Sequence, residues 1–277
     1  MTVWKSLLLG LLQGLTEFLP VSSSGHLVLL DRLLQYDPQK AGVAFFVILH
    51  AGTLLATLCV YYKTIFDLLR YLFRQLPGAL KNRGMRAALW DNKKGQLITF
   101  LFIGSIPTGI IGYTLEDQFE KLFSNVACVA IALFVTGALL YSTRKIPEKL
   151  RGSKKINAGK SLLIGTIQGL AITPGISRSG STISLGMWLG LDRRVAADFS
   201  FLLSIPAIFG ALLSRLGDIS QSPGKDLIPL IMGFLASFMS GYIALLILLK
   251  FVRRGKFHVF AWYCWTIAII AGASYLL

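Results

Sequence analysis

Long apolar runs separated by short charged segments dominate the hydrophobic pattern of this chain. A transmembrane helix needs about 20 apolar residues to cross a hydrocarbon core about 30 Å thick. The strands of a membrane barrel would instead show alternation with a period of two, which these runs lack. The pattern therefore predicts six transmembrane helices, near residues 43–62, 97–114, 125–143, 197–213, 227–249 and 258–276.

Two further segments, 1–35 and 160–190, have a different pattern. Each contains an apolar run, a polar break rich in Pro, Gly and Ser, and a second apolar run that is too short to cross a bilayer. We predict that each segment is a re-entrant helix–break–helix hairpin. Non-helical backbone is tolerated at membrane depth only within protein or beside water, so both hairpins should lie inside the helix bundle.

The charge of the connecting segments predicts the orientation of the helices. The connections 63–96, 144–160 and 250–257 contain 19 of the 28 Lys and Arg residues, which places these connections in the cytoplasm. The connection 115–124 is acidic and 214–226 is balanced, so both are expected outside. This alternation puts both termini outside.

The two broken segments are copies of each other. When the sequence is shifted by 155 residues, residues 5–25 align with 160–180, and 11 of the 21 aligned residues are identical. Each half then contains one hairpin and three spans, and an odd number of spans forces the halves into opposite orientations. The predicted fold is a single all-α membrane domain, 1–277, built as an inverted-topology repeat of halves 1–150 and 151–277.

Composition agrees with an integral membrane protein. Hydrophobic residues make up 54% of the 277 residues, charged residues only 15%, and the mean hydropathy is +0.65. The net charge of +15 does not indicate nucleic-acid binding, because the basic residues lie between apolar runs. The three cysteines lie in apolar runs without metal-ligand or disulfide spacing. The N-terminal run lacks a small-residue cleavage site and is expected to be retained.

The differences between the two breaks contain the candidate chemistry. The first break contributes Glu17, Ser23 and His26, whereas the second contributes Arg178 at the position that aligns with Ser23. Ionisable side chains at membrane depth are costly, which makes them functional candidates by default. A purely structural ion pair between Glu17 and Arg178 is the alternative interpretation of the two charges.

Other polar residues have a structural interpretation of equal or greater weight. Serines in membrane helices often bond only to backbone, and this applies equally to Ser22, Ser24 and Ser179. His50 and His258 stand alone on apolar runs and are expected to be structural.

Taken together, the candidate groups suit phosphoryl transfer. Ser- and Gly-rich breaks at helix ends present N–H groups and hydroxyls to phosphate oxygens. Arg178 adds bidentate phosphate contacts, and Glu17 can hold a divalent cation that bridges phosphate oxygens. His26 can act as a nucleophile or as a general acid or base near neutral pH.

In two motifs, QGLTEFLPVSSSGH (13–26) and PGISRSGST (174–182), the chain resembles the bacterial undecaprenyl-pyrophosphate phosphatase family of the BacA/UppP type, and the resemblance covers essentially its whole length. The resemblance implies hydrolysis of undecaprenyl diphosphate to the monophosphate, which recycles the lipid carrier of cell-wall synthesis, and an association with bacitracin resistance. It also implies a divalent cation, Mg²⁺ or Ca²⁺, and an active site that opens to the external or periplasmic side of the bacterial plasma membrane.

The resemblance assigns roles to residues by position. It implies that Glu17, Ser23, His26 and Arg178 are catalytic and that Glu17 binds the metal. The residues expected to contact the substrate are Gln13, Ser22, Ser24, Gly25, Ser177, Ser179 and Thr182. Position 13 is Gln where many relatives have Glu, so Glu17 is expected to carry more of the metal binding. The nucleophile is left open between Ser23, His26 and a water activated by His26.

The expected partners are the isoprenyl diphosphate lipid and membrane lipid, without nucleic acid, and a homodimer is left open. The main alternative function is a secondary transporter or lipid flippase that uses the same midplane site, because inverted repeats of broken helices are a transporter architecture. Glu17 and His26 would then relay protons, and Arg178 would bind an anionic substrate. The duplicated breaks disfavour a purely structural scaffold. Residues 65–76 suit an amphipathic helix at the inner surface, to which no function is assigned.

Overall fold

The computed structural model describes residues 2–34, 43–123, 125–146, 152–153, 155–215 and 227–276. These residues form helices and no strand, and one isolated bridge joins Ser153 to Leu191. The helices are α1 (Val3–Phe18), α2 (Ser23–Leu34), α3 (Val43–Val60), α4 (Tyr62–Arg70), α5 (Leu76–Leu89), α6 (Lys93–Thr114), α7 (Glu116–Phe123), α8 (Val126–Ser142), α9 (Ala158–Leu170), α10 (Arg178–Trp188), α11 (Arg193–Ser214), α12 (Leu227–Arg253) and α13 (Phe260–Leu276). The predicted all-α class is confirmed.

Five stretches of helix among the described residues are long and apolar enough to cross a membrane. They are α6, α8 with its final turn, α11, α12, and α13 with the turn that precedes it. These stretches correspond to five of the six predicted spans. The sixth, near 43–62, is α3, which meets α4 at a bend of 78°. By length and composition, the described residues therefore contain five helices that could cross a membrane, or six if the bent pair counts as one.

The two broken segments each contain a helix, a break and a second helix. Residues 19–22 separate α1 from α2, and residues 171–177 separate α9 from α10. The second helices begin 155 residues apart, at Ser23 and Arg178, which is the spacing of the sequence repeat. The predicted helix–break–helix pattern is present in both halves.

Each second helix begins with the same serine cap. Ser22 Oγ accepts a hydrogen bond from Gly25 N at 3.2 Å, and Ser177 Oγ accepts one from Gly180 N at 3.1 Å. An N-cap serine of this kind satisfies one of the free N–H groups of a helix start. Both serines are buried. Equivalent residues therefore start equivalent helices in the two halves.

The first helix of each broken segment packs against a long apolar helix of the other half. α1 lies along α12, and α9 lies along α6. Glycines bring these backbones close, because a Cβ atom at Gly10 would collide with Gly233 O, and one at Gly165 would collide with Gly104 O. Small residues at such interfaces allow close helix approach in membranes. The halves therefore interlock, and the last helix of each half, α8 or α13, packs against the other.

The basic connection 63–96 is helical. α4 continues through a π-helical turn, Tyr71–Gln75, into α5, so residues 65–76 are helical as predicted. The Tyr71 hydroxyl donates a hydrogen bond to Ala88 O at 2.6 Å and holds α5 against the turn. Most of the 214–226 connection lies outside the described residues.

Candidate active site

Glu17 lies at the end of α1 and accepts hydrogen bonds from both hairpins. Arg178 Nη2 donates to Glu17 Oε1 at 2.7 Å, and Ser23 Oγ donates to Oε2 at 2.8 Å. Gln13 Nε2, one turn earlier on α1, donates to Oε2 at 3.1 Å. The side chains of Glu17 and Arg178 are 9% and 15% exposed, so the ion pair is largely buried. Four of the predicted site residues are therefore in one cluster.

The positions of Ser23 and Arg178 explain why both reach the same carboxylate. Each is the first residue of the second helix in its hairpin, and the sequence repeat aligns the two positions. The two helix starts meet because Ser22 Oγ accepts a hydrogen bond from Gly175 N at 3.1 Å. Helix N-termini carry a partial positive charge, so this junction suits an anion.

His26 is bonded to other groups. Its Nδ1 lies 2.8 Å from Ser22 O, and its Nε2 lies 2.8 Å from the Tyr263 hydroxyl. The two rings are stacked, with centroids 5.6 Å apart and planes 6° apart. Among the described residues, His26 makes no hydrogen bond to Glu17, Ser23 or Arg178. His26 and Glu17 are therefore not in direct contact.

The remaining residues of the first break bond within the protein. The hydroxyls of Ser22 and Ser24 lie 3.3 Å apart. Gly25 faces the second break so closely that a Cβ atom there would lie 3.1 Å from Gly175 Cα. These residues hold the two breaks together, and their expected contacts with substrate stay predictions.

The predicted phosphate contacts of the second break also bond internally. The hydroxyls of Ser177 and Ser179 lie 3.3 Å apart, and Ser179 Oγ donates to Phe18 O at 2.9 Å. Thr182 Oγ1 donates to Arg178 O at 2.8 Å and also contacts the Ser200 hydroxyl. All three side chains are buried. Their hydrogen bonds in the structure fix the position of Arg178 relative to α1 and α11.

His50 was expected to be structural, yet it lies beside the candidate site. Its Nε2 is 3.9 Å from Glu17 Oε2, and its side chain is 37% exposed. Its Nδ1 donates to Phe46 O at 2.9 Å. No motif in the sequence links residue 50 to the first break, because the contact depends on how α3 packs against α1.

One residue on α8 and one on α13 hydrogen-bond to the breaks, and the sequence motifs identified neither of them. Thr136 Oγ1 donates to Gly175 O at 2.9 Å and accepts from Ser177 N at 3.1 Å. Cys264 Sγ donates to Pro20 O at 3.4 Å. Pro20 and Gly175 are aligned by the repeat, so the last helix of each half hydrogen-bonds to the break of the other half.

Two buried polar atoms at the site have no hydrogen-bond partner among the described residues, Gln13 Oε1 and Arg178 Nη1. The described residues contain no group of three or more His, Cys, Asp or Glu that could hold a metal. Mg²⁺ commonly binds through one or two carboxylates together with water and substrate phosphates. Glu17 Oε2 and Gln13 Oε1 fit such a cation if phosphate and water complete its ligands.

Comparison with known proteins agrees with the two motifs. A family model described as "Bacitracin resistance protein BacA" matches residues 6–270. An undecaprenyl-diphosphatase of Desulfatibacillum aliphaticivorans is 42% identical over 271 residues, which cover 98% of this chain and 96% of that protein. An undecaprenyl-diphosphatase of Alkaliphilus metalliredigens (strain QYMF) is 40% identical and covers 98% of each chain. The undecaprenyl-diphosphatase of Halothermothrix orenii is also 40% identical, over 98% of this chain and 97% of that protein. The chain therefore belongs to the bacitracin resistance protein BacA family.

Proposed function

We propose that this chain is a membrane phosphatase that hydrolyses undecaprenyl diphosphate to undecaprenyl phosphate and inorganic phosphate. The reaction returns the lipid carrier to cell-wall synthesis and accounts for a link to bacitracin resistance. The observation that carries the proposal is the buried Glu17 carboxylate with Ser23 on one oxygen and Arg178 on the other. The family relatives, which are named for this activity, support the choice of substrate.

Ser23 is the nucleophile that this geometry favours. Its hydroxyl already donates to Glu17 Oε2 at 2.8 Å, within the range for transfer to a general base. Ser23 Oγ attacks the terminal phosphorus as its proton passes to Glu17. The bond from that phosphorus to the bridging oxygen breaks, and undecaprenyl phosphate leaves with the electron pair. The product on the protein is a phosphoserine.

Hydrolysis of the phosphoserine needs a second base. In our proposal a water attacks the phosphorus and gives its proton to His26 Nε2. The bond between phosphorus and Ser23 Oγ breaks, and this oxygen recovers the proton held by Glu17. Inorganic phosphate leaves, and His26 loses its proton to solvent. His26 thus acts in the second step, which agrees with its separation from Glu17.

Arg178 binds the phosphate in both steps. One of its terminal nitrogens, Nη2, holds Glu17, while the other, Nη1, is buried without a partner among the described residues. A guanidinium can serve two acceptors at once because its donors form a rigid fork. The free N–H groups of Arg178 and the two helix starts would stabilise the charge on the phosphate oxygens.

A divalent cation, Mg²⁺ or Ca²⁺, would be held by Glu17 and Gln13 together with phosphate oxygens. It would supply charge neutralisation and orientation of the diphosphate. We expect EDTA to abolish phosphate release and added Mg²⁺ or Ca²⁺ to restore it. Full activity in excess EDTA would refute the requirement for a divalent cation.

We further propose six spans and two re-entrant hairpins in an inverted repeat, with the site open to the external side of the bacterial plasma membrane and both termini external. The distribution of basic connections supports this orientation. The reciprocal packing of α1 on α12 and α9 on α6 supports the inverted repeat. A homodimer stays a prediction.

A transporter or flippase is the second candidate function. The observation in its favour is that two broken helices from opposite halves meet directly, through Ser22 Oγ and Gly175 N. Phosphate release by the purified protein in detergent separates the two functions, because transport requires a sealed bilayer. We expect release from undecaprenyl diphosphate in micelles. No release in micelles, with lipid movement in vesicles, would favour the transporter.

A further inference from the structure

The Tyr263 hydroxyl lies 2.8 Å from His26 Nε2, and nothing in the sequence motifs connects these two residues. Tyr263 is on α13, the last helix of the second half, whereas His26 is on α2 of the first half. We infer that Tyr263 is a positioning residue for the reaction: its hydroxyl holds His26 Nε2 as an unprotonated acceptor in a fixed orientation.

The hydrogen bonds of His26 determine which ring nitrogen carries the proton. A backbone carbonyl can only accept, so the contact of Nδ1 with Ser22 O at 2.8 Å requires a proton on Nδ1. In the neutral ring Nε2 is then the acceptor, and the Tyr263 hydroxyl must be its donor. The two contacts together select one tautomer of His26.

The surroundings of Tyr263 hold its hydroxyl in place. The neighbouring residue Cys264 is buried and donates to Pro20 O, which ties this turn of α13 to the first break. α13 also packs along α8. The Tyr263 ring lies parallel to the imidazole, with 6° between the planes. Tyr263 is 44% exposed and His26 is 8% exposed, so the phenol is the more accessible member of the pair.

The hydrogen bond from Tyr263 affects the two steps of the proposed reaction differently. This part of the inference rests on the proposed function. While Tyr263 donates to it, the Nε2 lone pair cannot attack phosphorus, so His26 is unsuited to be the nucleophile. When a water replaces the phenol at Nε2, the same lone pair is ready to take the water's proton. Tyr263 therefore acts through His26 on hydrolysis of the phosphoserine and not on its formation.

The test compares Tyr263→Phe with Tyr242→Phe. Tyr242 is an exposed tyrosine on α12 whose ring contacts Phe238, so its variant controls for loss of a phenol hydroxyl. We expect Tyr263→Phe to lower kcat about ten-fold, less than complete loss of a general base, with KM changed less than about two-fold. We also expect phosphoserine to accumulate during turnover. Tyr242→Phe should match the wild type in all three measurements.

A second measurement does not depend on activity. The chain has only three histidines, so nitrogen-isotope-labelled histidine gives a resolvable NMR spectrum of the ring nitrogens. We expect His26 to be protonated on Nδ1 in both proteins, because Ser22 O accepts from Nδ1 in either case, and the Nε2 signal to shift in Tyr263→Phe because Nε2 loses the hydrogen bond from the phenol. An unchanged Nε2 signal in Tyr263→Phe would overturn the inference, whatever happens to kcat. If the wild type released no phosphate, the proposed function would fail while the NMR result still decided the role of Tyr263.

Discussion

The two hairpins share a backbone plan and differ in chemistry. α2 and α10 begin with the same serine cap, and each break is hydrogen-bonded by the last helix of the other half. The first hairpin has Glu17 where the second has Ile172, and the second has Arg178 where the first has Ser23. Duplication thus accounts for the framework, and substitutions at aligned positions account for the reactive groups.

This difference explains why the chain has one candidate site and not two. Ser23 and Arg178 occupy equivalent positions and meet on a single carboxylate from the first copy. The second copy has no acid at the matching position, so the two halves share a backbone arrangement but do not share the reactive side chains. Neither hairpin contains the complete cluster.

Replacing the acid tests the comparison most strongly. Glu17→Gln keeps the size of the side chain but removes the base for Ser23 and the counter-charge of Arg178. We expect kcat/KM for phosphate release to fall about 10³-fold, since general base catalysis contributes 10²–10⁴. The matched control is Asp67→Asn, which removes an acid from the exposed ion pair with Lys94. It should change activity less than about two-fold. Equal effects of the two variants would contradict the role of Glu17.

Replacing Arg178 tests whether the second hairpin contributes a planar guanidinium with separate donor nitrogens or only a positive charge. Arg178→Lys keeps the charge but cannot hold Glu17 and phosphate through separate nitrogens in a fixed plane. We expect kcat/KM to fall about 10²-fold, comparable to losing one donor to a transition state. Arg194→Lys, at the exposed pair with Asp198, is the control and should have little effect. Full activity in Arg178→Lys would show that charge alone suffices.

The side chains that hydrogen-bond to the two breaks should contribute unequally to the free energy of unfolding. Thr136→Ala leaves Gly175 O and Ser177 N buried without their partner, at a cost of about 1–3 kcal/mol for each unsatisfied group. Cys264→Ala removes only a weak thiol donor from Pro20 O, so we expect less than about 1 kcal/mol. Denaturant unfolding in detergent micelles measures both free energies. A larger loss of unfolding free energy in Cys264→Ala than in Thr136→Ala would contradict this prediction.

The hydrophobic pattern predicted most of the fold because spans and breaks are local features. Apolar runs located the five helices that are long and apolar enough to cross a membrane, and the Pro, Gly and Ser clusters located both breaks. The bend of 78° after α3 was not predicted, since no proline or glycine lies at that point of the sequence. The repeat brought Glu17, Ser23 and Arg178 together in the prediction because aligned positions of two copies must have related surroundings.

The remaining parts of the site depend on long-range packing that no local pattern encodes. His50 and Tyr263 reach the site from α3 and α13, far along the chain from the residues they contact. The hydroxyls of Ser179 and Thr182 were expected to contact phosphate, yet their hydrogen bonds join neighbouring segments of the protein. A serine that binds substrate and one that bonds backbone look alike in sequence.

The central claim is that Ser23, activated by Glu17 beside Arg178, is the nucleophile. The direct measurement is a rapid-quench experiment with undecaprenyl diphosphate labelled in its terminal phosphate, followed by mapping of the label on the protein. We predict an acid-stable phosphoserine at Ser23, present in the wild type and in Ser24→Ala but absent in Ser23→Ala. An acid-labile phosphohistidine at His26, or no labelled protein during turnover, would contradict the account.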